Sequence, residues 1–72
     1  MMEAYLEYRF NRWYANARID YGVSGRLVSV SYNAELDVVS IQTVEDGEMY
    51  YCNIEYASAK TPEQIFDIWM EA

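Results

Sequence analysis

The sequence predicts a single α+β domain over residues 1 to 72: a four-stranded antiparallel meander with an N-terminal and a C-terminal helix packed on one sheet face, in the order αββββα. Three observations predict it. The spacing of apolar residues changes from a helical to an alternating period near Ala17. Three short reversals downstream keep one set of residues on one face, which a one-residue slip in any of them would destroy. Finally, Thr61-Pro62-Glu63-Gln64 is a capping box with proline at the first helical position, marking a helix start.

Residues 2 to 16 place Met2, Leu6, Phe10, Trp13 and Ala17 three or four apart, the stripe of an amphipathic helix. From Ala17 the pattern alternates, Ala17, Ile19, Tyr21 and Val23 against Arg18, Asp20 and Gly22, which predicts a first strand. Ser24-Gly25 then serves as a hairpin turn into a second strand over residues 26 to 32, with Val28, Val30 and Tyr32 inward and Leu27, Ser29 and Ser31 outward. Asn33-Ala34 gives the next reversal and sets Val30 opposite Asp37 and Val28 opposite Val39, with a third strand over about 36 to 44. Asp37 fits poorly in that pairing, and the doubled Val38-Val39 suggests a bulge. Asp46-Gly47 is the strongest local signal, because a type I′ turn needs positive φ at both central residues. It pairs Thr43 with Tyr50, Ile41 with Cys52 and Val39 with Ile54, and a fourth strand follows over about 49 to 56. The C-terminal helix after Thr61 carries Ile65, Ile68, Trp69 and Ala72 on its apolar stripe, flanked by Phe66.

A chain this short hides only about 60% of the surface it exposes unfolded, so its core needs support. One cysteine and no histidine leave dense aromatic packing or association as the sources, with eight tyrosines, two tryptophans and two phenylalanines to provide it. A lone cysteine suits a reducing compartment, and with no run of roughly 18 apolar residues the expectation is a cytoplasmic protein without a membrane span.

Charge is polarised. Of the twelve carboxylates, nine lie after residue 34 and face Lys60 alone, a formal −8, while the four arginines before it outnumber three carboxylates there. Such a field repels nucleic acid and anionic membrane and attracts basic protein surfaces. Glu45 and Glu48 flank the Asp46-Gly47 turn and oppose each other across it, although facing like charges disfavour pairing. Glu63, Asp67 and Glu71 recur every four residues along the second helix, a ridge of anions that resembles the phosphate spacing of a nucleic-acid strand. The open sheet face would show Tyr51 across from Gln42 and Met49 across from Val44, a mixed surface suited to an interface. The candidate partner-binding set is therefore Glu45, Asp46, Glu48, Glu63, Asp67, Glu71, Tyr51 and Met49. Arg9, Arg12, Arg18 and Arg26 among tyrosines could stack on bases, but a basic patch is lacking in a chain of net charge −7, which argues against direct nucleic-acid binding.

Chemistry has little to work with. Cys52, the sole thiol, falls on the core side with no histidine to activate it, and no glycine-rich phosphate loop is present. The acidic tip lacks calcium-loop spacing, and no transition-metal set is available. The expectation is a protein that is not an enzyme and holds no cofactor or metal.

In size, acidity, tyrosine richness and helix-plus-meander order, with the Glu45 to Glu48 tip and the helix capped by Thr61 to Gln64, the chain resembles the small phage-encoded proteins that inhibit bacterial defence, such as anti-CRISPR and anti-restriction inhibitors. That resemblance implies a stoichiometric inhibitor, acting as a nucleic-acid mimic that occupies a basic nucleic-acid channel of a larger bacterial protein or by blocking that protein's movement. The alternative is a small self-associating or subunit protein, a homodimer through the open sheet face or an edge strand, with acidity serving solubility.

Overall fold

The computed structural model describes residues 2–72. Helix α1 spans Met2–Tyr21, strands β1, β2 and β3 span Gly25–Asn33, Val38–Glu45 and Glu48–Glu55, a single 3-10 turn covers Ala57–Ala59, and helix α2 spans Pro62–Glu71. The sheet is antiparallel with β2 in the middle. Three strands, not four, make up this sheet, and the expected first strand is the difference.

Residues 17–21 continue α1 instead of starting a strand. Ala17 is buried as the next position on the Leu6, Phe10 and Tyr14 stripe, so the helical period survives where an alternating one also fits. Ile19 and Tyr21, the supposed inward residues of that strand, are 83% and 76% exposed. Gly22, at φ 68°, ends the helix in the left-handed region that glycine adopts without strain, and the Val23 amide reaches back to the Ala17 carbonyl. Gly25 is no turn residue either. It opens β1 under the Tyr14 ring, where an added Cβ would stand 2.6 Å from Tyr14 Cε1 and 2.9 Å from the Val44 carbonyl oxygen.

The second register expectation is also corrected. Val30 lies opposite Ile41 and Tyr32 opposite Val39, with Asn33 paired to Val38 across the four residues 34–37. Asn33 Oδ1 accepts from the Leu36 amide and Asp37 takes φ 53°, so the side chains of Asn and Asp build a longer loop than the two-residue turn expected. Asp37 fits poorly opposite Val30 because it belongs to the loop. The bulge falls on β1: Leu27 pairs with Thr43 and Ser29 with Gln42, leaving Val28 as the extra residue, while Val38-Val39 runs straight. This places Leu27 on the core side, opposite to its expected direction.

The Asp46-Gly47 turn is as expected, with φ 51° and 85°, and it sets Thr43, Ile41 and Val39 opposite Tyr50, Cys52 and Ile54. Both helices cover the face that carries Val39, Ile41 and Ile54, with Leu6, Phe10, Tyr14, Ala57, Ile65 and Phe66 completing the core. On α2 the buried pair is Ile65 and Phe66, whereas Ile68 and Ala72 remain exposed. The capping box at Thr61 forms in both directions, Thr61 Oγ1 accepting from the Gln64 amide at 3.1 Å and Gln64 Oε1 from the Thr61 amide at 2.8 Å.

Phe10 is the centre of the core, edge-on to Phe66 at 5.2 Å and to Trp69 at 4.5 Å between centroids. A Phe10→Ala substitution should cost about 3–5 kcal/mol in urea unfolding, a large share of the roughly 5–15 kcal/mol that folded domains possess. Gly25→Ala should cost about 1–3 kcal/mol, because either the Tyr14 ring or the β2 backbone must shift.

Candidate binding surface

Residues predicted as one acidic site divide into pinned and free groups. Glu45 is half-buried, and its Oε2 accepts from the Tyr14 hydroxyl at 2.8 Å. Burial holds the Tyr14 phenol well above its ordinary pKa, so it stays a neutral donor to that carboxylate. Asp46 ties the hairpin tip to the α1–β1 connection: its amide donates to the Ser24 carbonyl at 2.7 Å, and its Oδ1 accepts from the Ser24 amide at 3.2 Å. Glu48 accepts from the Tyr50 hydroxyl at 2.9 Å, a bond that raises the Tyr50 pKa.

The ridge on α2 does not act as a unit. Glu63 pairs with Arg9 at 2.9 Å and accepts from the Tyr5 hydroxyl, and the Tyr5 bond holds its carboxyl below the usual range. Arg9 also lies 4.5 Å over the Phe66 ring, a cation–π contact, and its buried Nε has no hydrogen-bond partner among the described residues. This is the one salt bridge among the described residues. Asp67 lines a shallow cleft with Lys60, Gln64 and Ile68, and Glu71 lies in the last turn of α2. The lone cation of the acidic half is occupied locally, since Lys60 Nζ donates to the carbonyls of Glu55 and Tyr56.

A second carboxylate that charge counting assigned to the surface field has a structural task. Asp37 accepts from the Ser58 hydroxyl at 2.7 Å, the Ser58 amide at 2.8 Å and the Tyr32 hydroxyl at 2.8 Å, and these bonds, the Ser58 hydroxyl first, lower its pKa. Its carbonyl also accepts from the Ala57 amide, so the β1–β2 loop and the 3-10 turn are locked together.

On the open sheet face Tyr51 lies opposite Gln42 and Met49 opposite Val44, as expected. The Gln42 amide donates to the Tyr51 hydroxyl at 3.2 Å and its oxygen accepts from the Ser29 hydroxyl at 3.3 Å. Tyr51 remains 72% exposed and Met49 48%.

No residue pattern points to a groove of about 420 Å³ between the last turn of α2 and the β2–β3 hairpin. Trp13, Tyr50, Trp69 and Met70 form its walls, with Glu45 and the buried Thr43 also lining it. Helix length explains it: ten residues of α2 cover about 15 Å, against roughly 26 Å for the eight residues of β3, so the helix falls short of the hairpin tip. Tyr50 is on the core face yet 48% exposed for this reason. Cys52 lies at the same wall, and burial raises its thiol pKa. Among the described residues no group of three or more His, Cys, Asp or Glu side chains could hold a metal, and no helix is long and apolar enough to cross a membrane.

Comparison with protein-family models, with curated proteins and with solved structures finds no match.

Asp37 and Glu63 ionise more readily folded than unfolded, so each contributes stability that is complete above its ordinary value, 3.8 and 4.5, and is lost as pH falls through the lower folded value. The thermal midpoint should therefore decline on acidification below about pH 4.5. Asp37→Asn should lower the midpoint at neutral pH and flatten that decline.

Proposed function

We propose that this protein is a non-catalytic acidic binding module that engages a basic, nucleic-acid-binding surface of a larger protein, in the manner of a stoichiometric inhibitor. The observation that carries the proposal is the distribution of uncompensated anions. Net charge is −7, and the one salt bridge among the described residues joins Arg9 to Glu63, which leaves the outer carboxylates without an ion-pair partner. The carboxylates offered to the partner are Asp46 and Glu48 at the hairpin tip and Asp67 and Glu71 on α2, with Tyr51 and Met49 as apolar anchors beside the tip. Long-range attraction sets encounter rate and orientation, while desolvated aromatic anchors set residence time. A bacterial cytoplasm suits the unpaired Cys52 and such a target.

Self-association through the open sheet face is the competing possibility, and Tyr51 at 72% exposure favours it. The like charge of two copies opposes it.

The test is capture of nucleic-acid-binding proteins from a bacterial lysate by the immobilised chain at low and high salt, followed by oligonucleotide competition on each captured protein. Displacement of the oligonucleotide is expected, with an association rate falling at least about tenfold as the Debye length shrinks from roughly 10 Å to 3 Å. Reversing the charge at Glu48, Asp67 and Glu71 together should slow association comparably. Binding with salt-independent rates, or captured proteins that keep their oligonucleotide, would overturn the proposal.

A further inference from the structure

The groove beside the hairpin adjoins β3, an edge strand with no neighbour on its outer side among the described residues. In a two-residue hairpin the flanking residues Glu45 and Glu48 exchange backbone bonds, so along β3 the amides and carbonyls of Met49, Tyr51 and Asn53 point away from β2. None of them has a backbone partner outside the sheet among the described residues, whereas the carbonyl of Glu55, next in that series, is taken by Lys60. The inner side of this edge opens into the groove at Tyr50, Tyr51 and Cys52.

Three features suit the groove to a cation. Glu45 uses Oε2 for Tyr14, and its Oε1 has no donor among the described residues. The last turn of α2 ends there, with Trp69, Met70 and Ala72 on the groove wall, which brings the negative end of the helix dipole to its mouth. That turn carries Glu71 and no basic residue, so no cation of its own helix compensates the dipole. Around these acceptors stand the aromatic rings of Trp13, Tyr50 and Trp69, and such faces attract cations.

We propose, building on the binding role above, that β3 and the groove together take an extended, arginine-bearing segment of the partner protein, which adds as a fourth strand along Met49–Asn53. Its guanidinium lies in the groove against the rings and bonds to Glu45 Oε1 and the end carbonyls of α2. Arginine suits this site better than lysine, because a planar fork of donors can stack on a ring and bond to several acceptors at once. The edge supplies sequence-independent backbone bonds and the groove supplies selectivity, the division of labour of strand-addition recognition. A second copy of this chain is disfavoured as the occupant, since it would bring Glu48 and Glu55 of its own edge strand and its formal −8 half to the same acidic surface.

The probe is a capped peptide, Gly-Thr-Val-Arg-Val-Thr-Gly, titrated into the isotopically labelled full chain and followed by amide and indole chemical shifts. Expected are shifts concentrated at the amides of Met49, Tyr51 and Asn53 and at the indoles of Trp13 and Trp69. Affinity should fall about tenfold when norleucine replaces the arginine, and also in Glu45→Gln, which removes the charge while keeping an acceptor for Tyr14. Tyr50→Ala, at a half-exposed position, should weaken binding without unfolding the chain. Shifts spread over the acidic surface, equal affinity for the norleucine peptide, or a concentration-dependent dimer seated on β3 would each overturn the inference. If the peptide fails while folded basic proteins are still captured in a salt-dependent way, the strand-edge site is wrong and the binding role stands; if the peptide binds but no captured protein loses its oligonucleotide, the binding role is wrong and the site stands.

Discussion

The edge-to-face contact of Phe10 with Phe66 and Trp69 is the constraint on which the rest of the molecule depends. It joins the two helices, which lie at opposite ends of the sequence, and seats both on the same sheet face. Trp13 extends the cluster to Trp69 at 5.4 Å, and Tyr14 carries it to the hairpin end of the sheet through its bond to Glu45. With no disulfide available, large rings at low rotamer cost are what give so short a chain a defined interior. The direction of α2 follows from this contact. So does the position of the groove, because a helix anchored at Phe66 and Trp69 stops short of the hairpin tip.

Polar contacts then fix the two ends of the sheet. At one end Asp46 and Glu45 hold the hairpin tip to Ser24 and Tyr14; at the other Asp37 holds the β1–β2 loop to Ala57 and Ser58. Carboxylates are thus used in two ways. Asp37 and Glu63 are fastened inside the architecture, while Asp67 and Glu71 face solvent without a bonded partner among the described residues. Formal charge alone does not say which anions are held in place, because that is decided by hydrogen-bond donors and by the one salt bridge among the described residues.

Much of the fold was legible where a residue type has one physical meaning. Asp-Gly required positive φ twice and fixed the β2–β3 register; Thr61 to Gln64 formed the capping box. The failures lie where one pattern satisfies two periods. Ala17 belongs to both a helical stripe and an alternating one, and only Gly22, a helix-ending glycine after Arg18 in the last turn, spoke for the helix. The doubled Val38-Val39 suggests a bulge, yet the bulge lies on β1 at Val28. Of the candidate surface, the pairing of Tyr51 with Gln42 and of Met49 with Val44 was readable from the Asp-Gly register. The Arg9–Glu63 pair was not, because it joins residues 54 positions apart through packing that no local rule specifies. The groove likewise depends on a mismatch of element lengths, which emerges only once both elements are placed.

The wide sequence separation of the central aromatic contact has a kinetic consequence. The three strands are connected consecutively, and their pairings close short loops at modest entropic cost, so the meander can assemble early. Helix α1 is made before the strands, yet the rings of α2 that complete its apolar stripe are made after them. Until they arrive, Leu6, Phe10 and Trp13 are incompletely sheltered, and the nascent chain passes through a stage in which a sticky helix awaits its closing partner.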